Sequence, residues 1–276
     1  MPARPIPAPR GFTLIELILV IGMVALLVGM LIPALAGAAR ASRATACLSN
    51  QRQIGVGAHM FAGDHRDRLP RAGENSDRDE ARPWASAIRP YVDSAAPAER
   101  TNDRFANVGI FRDPGRARDT HAIHYVVNAF RVQHGRIGGW QPAREWTSLA
   151  SVARPDAVVY LNCFGDDADG ALAQRWYPAR GEALLTDREI ASRYAAFEPE
   201  NIGHAAPLSG TPRGTMQKPT PPIVGLARHG TRGGGLSNGL FFDGRAKALE
   251  SKAVRELSLW DDGGSTADAP APAAHR

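Results

Sequence analysis

Cysteine is scarce: the 276 residues contain two, Cys47 and Cys163. That rules out a disulfide-built scaffold, and with no C-x-x-C pair there is no zinc-finger spacing either. No block of lysine and arginine appears. The formal charge is +5, but between residues 64 and 119 arginine alternates with aspartate and glutamate, so the basic stripe expected of a nucleic-acid-binding surface is missing. The glycine run Gly233–Gly235 has no following Lys-Ser/Thr, which excludes a P-loop. No strand precedes the glycines of "QIGVG", Gly55 and Gly57, which argues against a dinucleotide-binding turn. Ser237 lies in no nucleophile-elbow pattern, and no catalytic residue and no cofactor is expected.

Charge is also absent from one long stretch. Residues 17–39 contain no ionisable side chain, enough for a helix to cross a bilayer, where about 20 residues suffice. Arg4 and Arg10 precede it and Arg40 and Arg43 follow, so the flanking charges barely choose an orientation. Near its start sits Glu16, and a carboxylate in a membrane costs a few kcal/mol unless it is paired or functional. Two origins compete for this stretch. It is either a retained anchor or a secretory signal peptide cleaved near Ala34-Leu35-Ala36. In the second case the chain is an exported soluble binding protein or hydrolase.

The helical pattern continues past the apolar run. Ala44, Cys47, Gln51, Ile54, Ala58 and Phe61 recur at three- and four-residue steps, while Arg43, Asn50, Arg52 and His59 fall elsewhere. That stripe is expected to dock on a globular head. Gly63-Asp64 is the expected stop, and Gly55 and Gly57 each weaken the last turns by roughly 1 kcal/mol relative to alanine. In the head, "IHYVVNAF", "AVVYLNCF" and "PIVGLARH" read as short strands, and "GLFFDGRAKAL" reads as a hairpin turning at Asp243-Gly244 through a type I′ turn. A helix is expected near residues 186–197. After Trp260 the composition is that of a disordered tail.

Candidate sites in the head are weaker. His121 and His124 would project to opposite faces of a strand and have no third ligand. Asp166, Asp167 and Asp169 do not fit a calcium loop, because Gly165 and Trp176 occupy its first and twelfth positions. They read as an acidic turn, and no metal site is expected.

Gly11-Phe12-Thr13-Leu14-Ile15-Glu16, followed by the uninterrupted apolar helix, resembles the class III signal of type IV pilins and type II secretion pseudopilins. The resemblance implies that a membrane-embedded prepilin peptidase cuts between Gly11 and Phe12 and that Phe12 becomes N-methylated. Arg10 matches the basic residue before the glycine, Glu16 falls at the fifth mature position, and Pro33 falls where such helices carry a perturbing proline. It further implies that Glu16 pairs with the terminal amine of a neighbouring subunit and that Pro33 loosens the assembling helix. A second stretch, "CLSNQRQIGVGAHMFAGDHRDRLP", is similar to the segment following the helix in a planctomycete-type subgroup with a C-terminal His…Asp-Gly motif. "WASAIRPYV" and "IFRDPGRARDTHAIHYVVNAF" are similar to its next blocks. His229, Asp243 and Gly244 match that motif with wider spacing, as a pair joining two strands. Many subgroup members have cysteine-proline where this chain has Asp113-Pro114, which leaves Cys163 as the candidate disulfide partner of Cys47.

The expected fold class is α+β, a long N-terminal helix on an antiparallel β-sheet head. The expected organisation is a leader (residues 1–11), a transmembrane and assembly helix (12–39), its amphipathic continuation (40–62), a β-rich head (63–260) and a tail (261–276). The implied partners are the prepilin peptidase, other pilin or pseudopilin subunits and the inner membrane, with the head in the periplasm and no nucleic acid.

Overall fold

The computed structural model describes residues 12–71, 82–93, 108–116, 123–130, 132–133, 136–137, 146–165, 195–196, 224–226, 228–231 and 234–260. Gly11 and the leader, His121, the three aspartates at 166, 167 and 169, and the tail after Trp260 lie outside them. The chain forms two compact units, residues 1–42 and 43–276.

Helix α1 runs Leu14–Asp64 and passes through Pro33 without interruption. In the first unit it is apolar on every side: the large hydrophobic residues from Phe12 to Leu35 are 46% to 75% exposed. A helix apolar all round needs an apolar environment rather than one packing partner, and this one is long and apolar enough to cross a membrane. Its start is closed by a reciprocal cap. Thr13 donates from its backbone N–H and its hydroxyl to Glu16 Oε2, at 2.9 and 2.6 Å, and Glu16 N–H donates to Thr13 Oγ1 at 3.3 Å. This is the Thr-x-x-Glu capping box, which satisfies amide donors that have no partner within the helix. Thr13-x-x-Glu16 is that signal in the sequence, and it gives Glu16 a partner within its own chain.

In the second unit the docking stripe has the expected face. Cys47, Gln51, Ile54, Ala58 and Phe61 are buried, whereas Arg43, Arg52 and His59 are exposed. Gly55 and Gly57 weaken the helix for a reason visible only in the packing. A Cβ on Gly55 would lie 2.8 Å from Leu240 Cδ1, and one on Gly57 would collide with Val92 and lie 3.2 Å from Ile88 Cγ2. The residues thus permit close approach of α1 to the sheet and to helix α2, Trp84–Val92. The helix ends at Asp64, as expected from Gly63-Asp64, and Arg66 and Asp67 follow in the left-handed region.

Strands β1 (Arg68–Leu69) and β5 (Thr147–Ser148) pair antiparallel, as do β3 (Val132–Gln133) and β4 (Arg136–Ile137). Among the described residues the main sheet has six strands. Its order is β10 (Ala246–Glu250), β9 (Gly234–Phe241), β6 (Val159–Cys163), β2 (Tyr125–Asn128), β7 (Ala195–Ala196), with β8 (His229–Thr231) also paired to β9. All pairs are antiparallel except β2 with β7. The fold class is therefore α+β. β2 and β6 are buried along their whole length, which is why they read as continuous apolar runs rather than alternating ones.

Three expectations change. The end of the helix expected over residues 186–197 is strand β7, held by its pairing with Val127 and Asn128, a tertiary partner that local propensity does not contain. "PIVGLARH" forms an isolated bridge, Val224 with Phe164, before β8 begins at His229. The β9–β10 hairpin is present, with Ala246 opposite Leu240, but its turn is not type I′. Gly244 alone has positive φ there, at +86°, and its N–H donates to Phe241 C=O at 3.0 Å. Such a turn followed by a left-handed residue is the three-residue hairpin loop, and Asp243 fixes it by accepting from Arg245 N–H through Oδ1 at 3.0 Å.

Candidate functional site

The second half of α1 and three elements beneath it converge on one cluster. The helix supplies Cys47 and Gln51, and β6 supplies Cys163 at its C-terminal end. Arg228 lies just before β8 and His229 is its first residue, and Asp113 comes from the turn between two short 3-10 segments, Gly109–Phe111 and Pro114–Arg116. Asp113 is placed by local bonds: its N–H donates to His124 Nδ1 at 2.9 Å, and its Oδ1 accepts from Gly115 N–H at 2.7 Å. His124 is thus a buried structural acceptor.

Cys47 and Cys163 are both fully buried free thiols with sulfurs 3.6 Å apart. His229 Nε2 lies 3.7 Å from Cys163 Sγ and 3.4 Å from Asp113 Oδ2. Arg228 Nε donates to the same Asp113 oxygen at 2.8 Å, and its Nη1 donates to Phe164 C=O at 2.5 Å. The outer contacts are polar as well. Tyr125 Oη donates to Cys47 Sγ at 3.8 Å, and Gln51 Nε2 to Cys163 Sγ at 3.6 Å and to Asn238 C=O at 3.0 Å.

The electrostatics of this cluster are mutual. Burial opposes charge on Asp113, but the hydrogen bond from His229 and the Arg228 guanidinium outweigh it and hold the carboxyl well below the usual carboxylate range. Burial likewise opposes charge on His229, and Asp113 and Cys47 overcome it to raise the imidazole to about 9. The hydrogen bond from Cys163 pulls the Cys47 thiol down, while burial pushes the Cys163 thiol up. The cluster therefore favours one thiolate beside an imidazolium, with an Arg–Asp ion pair alongside. Breaking a buried pair of that kind typically costs about 3–5 kcal/mol.

The structure brings Cys47, Cys163 and His229 together and leaves Asp243 elsewhere. Asp243 is on the exposed β9–β10 turn, bonded to Arg245 Nε at 2.5 Å, so the expected His229–Asp243 pair across adjacent strands does not form. The carboxylate that His229 meets is Asp113. Sequence separation hid this group: residues 47, 113, 163 and 229 share no local spacing, and each arrives on a different element. One signal was available, since position 113 is where the resemblance puts a cysteine and this chain has an acid.

A family described as "protein of unknown function (DUF1559)" matches residues 37–107, which is 71 of the 276 residues. The match includes Cys47 and Gln51 and stops short of Asp113, Cys163 and His229. No curated protein and no solved structure matches the chain. The matched segment and the long apolar helix are consistent with a membrane-anchored pilin-like surface protein.

Proposed function

We propose that this chain is a structural, non-enzymatic pilin-like subunit, cut by a prepilin peptidase between Gly11 and Phe12 and assembled through α1 into a type IV pilus or a type II secretion pseudopilus. The observation carrying this reading is a single helix with two chemically distinct halves. Its first half is exposed and apolar on all sides, and its second half is seated on a β-sheet by a polar-flanked stripe. An apolar surface that continuous is suited first to a bilayer and then to the same helices of neighbouring subunits. Glu16 supports the same reading. In a bundle of low dielectric, its carboxylate would meet the positive amine of Phe12 on a neighbour, which offsets burial and sets the stagger between subunits.

The partners are the peptidase, further pilin or pseudopilin subunits and the inner membrane, with the head on the periplasmic side. Among the described residues of the head, the reactive side chains gathered beneath α1 are enclosed, with Cys47 and Cys163 at 0% exposure, which favours a structural role over a soluble hydrolase. Intact mass and N-terminal sequencing of the mature protein test the reading. N-methylated Phe12 is expected, and a mature chain starting near Gly37 would overturn it in favour of a conventional signal peptide.

A further inference from the structure

From the geometry we infer that Cys47, Cys163, His229 and Asp113 form a structural zinc site that ties α1 to the sheet. Their ligand atoms all lie within 4.8 Å of one another, and all four residues are buried. Zinc bonds of about 2.0–2.3 Å to oxygen, nitrogen and sulfur in tetrahedral geometry set ligand–ligand edges of about 3.3–3.8 Å. Three edges already have such lengths: 3.6 Å between the sulfurs, 3.7 Å from Cys163 Sγ to His229 Nε2, and 3.4 Å from His229 Nε2 to Asp113 Oδ2.

The surroundings match what a closed zinc site needs. Each ligand other than His229 has a donor outside the tetrahedron: Tyr125 Oη on Cys47, Gln51 Nε2 on Cys163, and Gly115 N–H and Arg228 Nε on Asp113. Such outer contacts orient ligands and tune them. Asp113 Oδ2 has two lone pairs, so it accepts from Arg228 with one and binds metal with the other. Charge also closes, because two thiolates and one carboxylate balance the dication together with the guanidinium. Buried charge is tolerated only when compensated in this way. Four protein ligands leave no open position, which makes the site structural rather than catalytic. A disulfide between the same sulfurs is the competing chemistry, since export exposes the chain to oxidant. It would use two of the four groups and leave the His229–Asp113 pair outside the bond. The inference rests on the head alone and is independent of the filament reading.

The test uses the full-length protein in detergent, purified without chelator. Its metal is measured by mass spectrometry of the elements, and its thiols are counted after denaturation in chelator. One zinc per chain and two free thiols are expected. Exchange into cobalt should give the thiolate-to-cobalt charge-transfer band and the intense visible bands of a tetrahedral ion. Cys163→Ser should lose the stoichiometric zinc, and His229→Gln should lose or shift the cobalt bands. Because a variant that fails to fold would also lose the metal, the wild-type chain decides the matter. A Cys47–Cys163 disulfide in metal-free protein overturns the inference. So do two free thiols that take up neither zinc nor cobalt from an equimolar mixture under reducing conditions.

Discussion

Thr13 and Glu16 cap each other at the start of α1: the hydroxyl of Thr13 donates to Glu16 Oε2 at 2.6 Å, and the amide of Glu16 returns a bond to Thr13 Oγ1 at 3.3 Å. One carboxylate thereby serves two settings. In the isolated subunit it satisfies the helix start, and in the proposed filament it faces a neighbour's amine.

The two roles separate by mutation. Thr13→Ala removes the cap and keeps the charge, at a cost of about 1 kcal/mol, so filament yield should change little. Glu16→Ala should leave cleavage and membrane insertion intact while filaments fall sharply, because the neighbour's amine is left uncompensated. Sheared-filament yields of the two variants measure this. Equal losses would mean that Glu16 acts only as a cap.

Gly11→Val should leave the precursor uncut. A peptidase cutting the Gly11–Phe12 bond must bring its acidic groups against the scissile carbonyl, and a β-branched side chain fills that space. Electrophoretic size and N-terminal sequencing report the outcome. Normal processing of this variant would count against the class III signal.

The β9–β10 turn predicts a second contrast. Gly244→Val forces a β-branched residue to φ near +86° and sets its Cβ 3.2 Å from the His59 ring, so a loss of about 1–3 kcal/mol is expected. Asp243→Asn keeps the Oδ1 acceptor for Arg245 N–H and gives up only an exposed ion pair, which is worth little. Thermal melts should therefore show a lowered midpoint for the glycine variant and a nearly unchanged one for the asparagine variant. A metal assay on Asp243→Asn should match wild type, since Asp243 lies outside the Cys47–Asp113–Cys163–His229 group.

Asn128 is the polar centre of the far side of the sheet. Its Nδ2 donates to Val159 C=O at 2.8 Å and to Trp260 C=O at 2.9 Å, and its Oδ1 accepts from Phe130 N–H at 3.0 Å. Asn128→Ala leaves these buried groups short of partners, at a cost on the order of 3 kcal/mol. A lowered denaturation midpoint is expected, and a wild-type melt would show that the three bonds contribute nothing net.

What the sequence by itself determined is whatever depends on neighbours along the chain. The charge-free run of residues 17–39, the three- and four-residue stripe from Ala44 to Phe61 and the Gly63-Asp64 stop were legible because helix periodicity is local. The position of the β9–β10 hairpin was legible for the same reason, although its turn type was not: that depended on which residues of the loop took positive φ. Tertiary structure alone decided the partners. β7 exists because β2 offers it a parallel edge, Gly55 and Gly57 are explained by Leu240 and Val92, and His229 meets Asp113 rather than Asp243 because β8 lies against the first half of β9, away from its turn. Of the Cys47–Asp113–Cys163–His229 group only the two cysteines were nominated together from the sequence, because the four positions share no local spacing. Its members come from one helix, one turn and two strands, and only the packing of those elements brings four ligand atoms within 4.8 Å.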